Sequence, residues 1–141
     1  AVIDRVGRRR LLLVGSVGLA VCLFVAAWAL QTKAAGSLVL VSLIGYIASF
    51  AFSQGAVIWV YLAEIFPNRV RARGQALGSF THWVWAAAVS WTFPIVAEAS
   101  GGLPFVIFGV LMVVQFFAVA VLLPETRGVS LEAIQKQLGI E

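Results

Sequence analysis

Four apolar blocks, Leu11–Leu30, Leu38–Phe66, Gln75–Val96 and Leu103–Leu123, take up most of this 141-residue chain. Each is long enough to cross a bilayer as a helix, since some 30 Å of hydrocarbon takes about 20 residues at 1.5 Å each. Lipid offers backbone groups no hydrogen-bond partner, so a spanning segment has to be a helix or part of a closed barrel. The ten-residue alternation of a barrel strand is missing from these blocks. They predict an all-α membrane protein with transmembrane helices over about 11–30, 38–66, 74–96 and 103–123. The remaining segments, 1–10, 67–73 and 124–141 on one side and the short links on the other, leave no room for a soluble domain. With 62% hydrophobic and 11% charged residues, the composition excludes an ordinary soluble domain.

The charges orient these helices. Arg5, Arg8, Arg9 and Arg10 precede the first, Arg69, Arg71 and Arg73 lie between the second and third, and Arg127 and Lys136 follow the fourth. The opposite side carries Lys33 and Glu98. Basic residues mark the cytoplasmic flank, which puts both termini in the cytoplasm of a multi-pass cell-membrane protein. The net charge of +4 is thus spent at helix ends and is no sign of nucleic-acid binding. The single cysteine, Cys22, cannot form an intramolecular disulfide. The opening Ala-Val-Ile-Asp and the absence of a small-residue cleavage site read as a piece of a longer protein rather than a signal peptide.

Polar residues inside spans are costly and usually face the protein interior. Gly15, Gly18 and Cys22 give the first helix a small-residue face for close packing. The second block would run about 43 Å as one helix, so it must tilt, bend or protrude. It places Ser53, Gln54 and Gly55 near mid-membrane, with Gly55, Trp59 and Ala63 on one face. Trp59 reads either as packing or as a flat platform for a ligand. The third helix opens with Gly74 and Gly78 and carries His82 and Trp83 at its centre, where a histidine is either a hydrogen-bonded packing residue or a functional one. Pro94 should end or kink that helix, Pro104 suits a first turn, and Gln115 suits an interhelical hydrogen bond.

Three motifs resemble one family. Asp4-Arg5-Val6-Gly7-Arg8-Arg9 is on its own a basic flank with a turn glycine, yet it is similar to the D-R-x-G-R-R loop of the major facilitator superfamily. Gly55-Ala-Val-Ile-Trp59 with Glu64-Ile-Phe-Pro67-Asn-Arg-Val-Arg71 resembles the sugar-porter pattern G-P-x-x-W…E-I-F-P-x-x-x-R, with Ala56 in place of the proline. Pro124-Glu125-Thr-Arg-Gly-Val-Ser130-Leu-Glu132 resembles P-E-T-K-G-x-S-L-E, and Ser130 and Glu132 suit the start of a short helix. The resemblance implies helices nine to twelve of a twelve-helix sugar porter, part of its C-terminal six-helix bundle. It further implies a sugar substrate, eight preceding helices as partner, and alternating access.

The same resemblance implies roles. Trp59, His82 and Trp83 would contact sugar, His82 standing where the family has an amide. Gly55 would be a gating hinge, with Ala56 for the family's proline putting the size of its bend in question. Asp4, Arg5, Gly7, Arg8, Arg9, Glu64, Arg71 and Glu125 would form a cytoplasmic charge latch. No catalytic residue, metal or cofactor is implied. Other classes remain: a membrane enzyme using Glu64 and His82 as an acid/base pair, a small oligomeric exporter, or a structural subunit. The first lacks a nucleophile or phosphate loop, the second a carboxylate deep in a helix, and the third leaves three motifs as coincidence.

Overall fold

The computed structural model describes residues 6–34 and 36–123. Within them five helices follow one another: α1 (Arg8–Gln31), α2 (Gly36–Phe52), α3 (Gln54–Ile65), α4 (Arg71–Ala99) and α5 (Leu103–Leu122). The Asp4, Arg5 and Glu125 expected in the latch, and the motif beginning at Pro124, lie outside the described residues.

α1 starts earlier than its apolar block, because Gly7 turns the chain into it. Gly7 caps the helix with φ 98° and ψ 147°, a conformation essentially restricted to glycine. Arg8, Arg9 and Arg10 consequently lie in the first turn of the helix, not in a flank before it. At its other end Lys33 adopts φ 52°. The Ala34 N–H donates to the Ala29 carbonyl (2.9 Å) and the Lys33 N–H to that of Leu30 (3.4 Å), a paired closure of the last turn.

α1 is the centre of the bundle, packed against α2, α3 and α5. Leu12, Leu19 and Ser16 on it are fully buried, and Leu11 and Leu12 form a core with Val57 of α3 and Val119 of α5. Small residues set the approach. A Cβ on Gly15 would stand 2.0 Å from Ser53 Oγ, and one on Gly18 2.8 Å from Ser49 Oγ. The glycine stripe of α1 is therefore a seat for the α2–α3 chain.

The long second block is not one helix. It breaks at Ser53 (φ −112°, ψ −97°), whose N–H reaches back to the Phe50 carbonyl at 3.2 Å and whose carbonyl accepts from Val57 at 2.8 Å. Ser53 is buried, its hydroxyl donating to the Ser49 carbonyl. Gly55, the expected hinge, lies two residues beyond the break, inside α3, where a Cβ would crowd the Phe50 ring and carbonyl at 3.0–3.2 Å.

α4 runs through Pro94 to Ala99, past the end its sequence suggests; such interruptions are tolerated in membrane helices whose neighbours absorb them. It leans on α3, where Gly78 meets Leu62 and Gly74 meets Phe66, and on α5, where Phe93 touches Phe105 and Phe108. Arg8–Gln31, Gly36–Ile65 and Leu103–Leu122 are long and apolar enough to cross a membrane. α4 has the length, 29 residues, but is less apolar, as Gln75, Thr81, His82, Ser90 and Thr92 lie along it. Pro104 falls in the first turn of α5, where its missing N–H costs nothing.

Candidate functional site: a cavity beside Trp59 and a charge pair below it

A cavity of about 450 Å³ opens between the helices. Its walls include Tyr46 of α2, Gln54, Gly55 and Trp59 of α3, His82 of α4 and Gln115 of α5. Apolar residues of α1, Leu12 and Leu19, complete one side. Mostly apolar walls with a few convergent polar groups, at this volume, are the usual make-up of a small-molecule site.

Trp59 and His82 meet at one corner, ring centroids 5.3 Å apart and planes at 70°. They are brought together by the seating of α4 on α3 through Gly78 and Gly74. Trp83 touches the far side of His82, with centroids 5.6 Å apart. It is 66% exposed and is not among the cavity walls. Consecutive helical residues point about 100° apart, and Trp83 accordingly lies off the wall that His82 contributes.

Two amides complete the polar lining. Gln54 Nε2 and Gln115 Nε2 both donate to Ser16 Oγ, at 3.1 and 3.3 Å, and Ser16 donates to the Leu12 carbonyl at 2.8 Å. Gln115 thus makes the interhelical bond its sequence position suggests. Tyr46 and the bond from Gln54 to Ser16 were not singled out by the sequence. Tyr46 sits in an apolar run with no motif around it, and Ser16 looks like one more small packing residue. Their spacing to Trp59 becomes visible only once α1 and α2 fold against α3.

At the C-terminal end of α3 stands the second feature. Arg8 grips Glu64 with two parallel bonds, Nη2 to Oε1 at 2.7 Å and Nε to Oε2 at 3.0 Å. The Arg8 side chain is 11% exposed and that of Glu64 30%, so the pair is only partly screened by water. This fork geometry is the strong form of a carboxylate contact. Arg9 donates to the Ala120 carbonyl of α5, and Arg71 donates to the Phe66 carbonyl at 3.4 Å, closing its own turn. Of the expected latch residues, the structure joins Arg8 to Glu64, seats Arg9 on α5, keeps Arg71 local and uses Gly7 to aim the arginines. Glu64, the acid of the enzyme reading, is thereby occupied by Arg8 and is not among the cavity walls beside His82.

Comparison with known proteins bears on these features. The family described as "Sugar (and other) transporter" matches residues 1–138. The chain is 36% identical over 140 residues to a D-xylose-proton symporter of Escherichia coli (strain K12), covering 94% of this chain and 28% of that protein. It is 34% identical over 138 residues to an arabinose-proton symporter of Bacillus subtilis (strain 168), covering 95% and 29%. Among solved structures, the inward-open conformation of the E. coli xylose transporter XylE superimposes with a TM-score of 0.91 at 35% identity, over 96% of this chain and 31% of that one. XylE bound to 6-bromo-6-deoxy-D-glucose gives 0.89 at 35% identity, over 96% and 30%. The chain therefore spans less than a third of the length of these relatives. A family match over nearly all its residues, joined to an all-helical fold that follows XylE, makes this chain a member of the sugar (and other) transporter family of the major facilitator superfamily.

Proposed function

We propose that this chain is the helix nine-to-twelve portion of a secondary carrier that moves a sugar, of monosaccharide size, across the cell membrane by alternating access. The observation that carries this reading is the corner of Trp59 and His82 on a 450 Å³ cavity between membrane helices. Sugars present patches of C–H groups that pack on an aromatic face, and hydroxyls that need donors and acceptors. Trp59 supplies the face, and His82 supplies the hydrogen-bonding group. The missing eight helices of the same carrier would close the remaining side, and the bilayer is its surrounding. Both termini lie in the cytoplasm on this reading, because nine of the ten basic residues fall on that side. The carrier works without a catalytic residue or cofactor.

Two relatives bear the names of a D-xylose-proton and an arabinose-proton symporter, so pentoses head the substrate panel. The test is uptake of labelled pentoses and hexoses by the full-length protein in vesicles, with and without an inward proton gradient. Saturable uptake of at least one sugar is expected. Uptake no faster than in empty vesicles across the whole panel would overturn the assignment.

A further inference from the structure

Ser16 joins three helices through one oxygen. It is fully buried, and its proton is committed to the Leu12 carbonyl. The oxygen then accepts from the Nε2 of both Gln54 and Gln115. A consequence follows for Gln54. Its Oε1 is buried and has no hydrogen-bond partner among the described residues. An unpaired buried acceptor is unfavourable, and a leucine of similar size would avoid it. Packing alone is thus a poor reason for a glutamine here.

Its position supplies a better one. Gln54 is the first residue of α3, immediately after the break at Ser53, where Gly15 lets α1 come close. At the other end of α3 Glu64 is held by Arg8. Arg8 and Ser16 are both on α1, eight residues or about 12 Å apart along its axis. α3 is therefore fastened to α1 at two points, one neutral and one charged, and Trp59 stands midway between them.

We propose that Gln54 is a positioning residue: by clasping α3 to α1 through Ser16 it sets where Trp59 stands against the cavity. This rests on the sugar-carrier reading above. Since Gln54 acts through Trp59, its loss should matter only while Trp59 is present. That separates it from a residue that merely stabilises the bundle.

The experiment uses the purified full-length carrier, with a pentose and a hexose titrated against wild type, Gln54→Leu, Gln54→Asn, Ser16→Ala, Trp59→Ala and the double variants. Gln54→Asn keeps the amide but is too short to span to Ser16, and it stands in should the leucine variant fail to fold. Gln54→Leu, Gln54→Asn and Ser16→Ala should each weaken binding by about five- to tenfold, with the Gln54/Ser16 double no worse than either single, as for residues that act as one unit. Adding Gln54→Leu or Gln54→Asn to Trp59→Ala should leave affinity where Trp59→Ala alone puts it. Wild-type affinity in the folded Gln54 variants, or losses that add to that of Trp59→Ala, would overturn the inference. If wild type binds no sugar, the carrier reading fails. The clasp is then judged by the spin-label distance between α1 and α3, which should broaden in Gln54→Asn and would refute the clasp if unchanged.

Discussion

The ring of Trp59 on α3 meets the imidazole of His82 on α4 edge to face, 5.3 Å between centroids, at the border of the cavity. Trp59 keeps 41% of its surface exposed among the described residues, so its indole contributes little to their core. Trp59→Ala in the full-length carrier should weaken sugar binding by about tenfold or more, an aromatic face being worth on the order of 1 kcal/mol beyond its buried area. The melting temperature should change little. Titration and thermal unfolding measured together check this; retained affinity with a melting point many degrees lower would make Trp59 a packing residue.

His82 can donate and accept, as an amide can. His82→Gln should therefore keep most of the affinity and His82→Leu should lose it. Net, a neutral hydrogen bond is worth about 0.5–1.5 kcal/mol, with more lost when a buried partner is left alone. Equal affinities in the two variants would take His82 out of the site.

The Arg8–Glu64 fork ties the C-terminal end of α3 to the start of α1. Hydrogen bonds to charged groups contribute about 1.5–3 kcal/mol, enough to shift a balanced two-state equilibrium by tenfold or more. Glu64→Gln should move the full-length carrier towards its inward-open form and slow transport more than it weakens binding. Labelling of engineered cysteines on the two sides measures the shift. An unchanged ratio with normal transport would leave the pair without a gating role.

Gly7 holds a backbone conformation closed to other residues. Gly7→Ala should cost about 1–3 kcal/mol of strain, or displace the start of α1 and with it the aim of Arg8. Both outcomes lower the melting temperature, and a variant as stable as wild type would contradict the strain argument.

Reporter fusions test the topology. One placed after Glu141 and one within Thr32–Gly36 should report opposite sides of the membrane, and a shared side would refute the four-span arrangement.

Much of this was legible in the sequence because membrane helices announce themselves by length, and because the motif glycines have local jobs. Gly7, Gly74 and Gly78 could be marked from the chain alone. A bend near Gly55 could be expected too, but its place at Ser53 could not, since neither proline nor glycine stands at that position. Its cause lies across the bundle, in the close seat on Gly15. The cavity was half legible. Trp59 and His82 carry recognisable surroundings, whereas Gln54 and Tyr46 join them through contacts with helices distant in sequence. Trp83, which the family resemblance paired with His82, is not among the walls that the described residues form. Arg8 and Glu64 were both noticed as charges, but 56 residues separate them, and their pairing depends on how α1 and α3 align.

The break at Ser53 also bears on how the protein enters the bilayer. At 17 and 12 residues, α2 and α3 extend about 26 and 18 Å, each short of the roughly 30 Å that a span requires. Together, as residues 36–65, they are long and apolar enough to cross the bilayer, so the two helices count as a single broken span. The break at Ser53 is seated against Gly15 of α1, so the shape of this span depends on its neighbour as well as on its own sequence. Substituting Gly15 with a bulky residue should leave insertion intact and arrest assembly one step later, in the membrane.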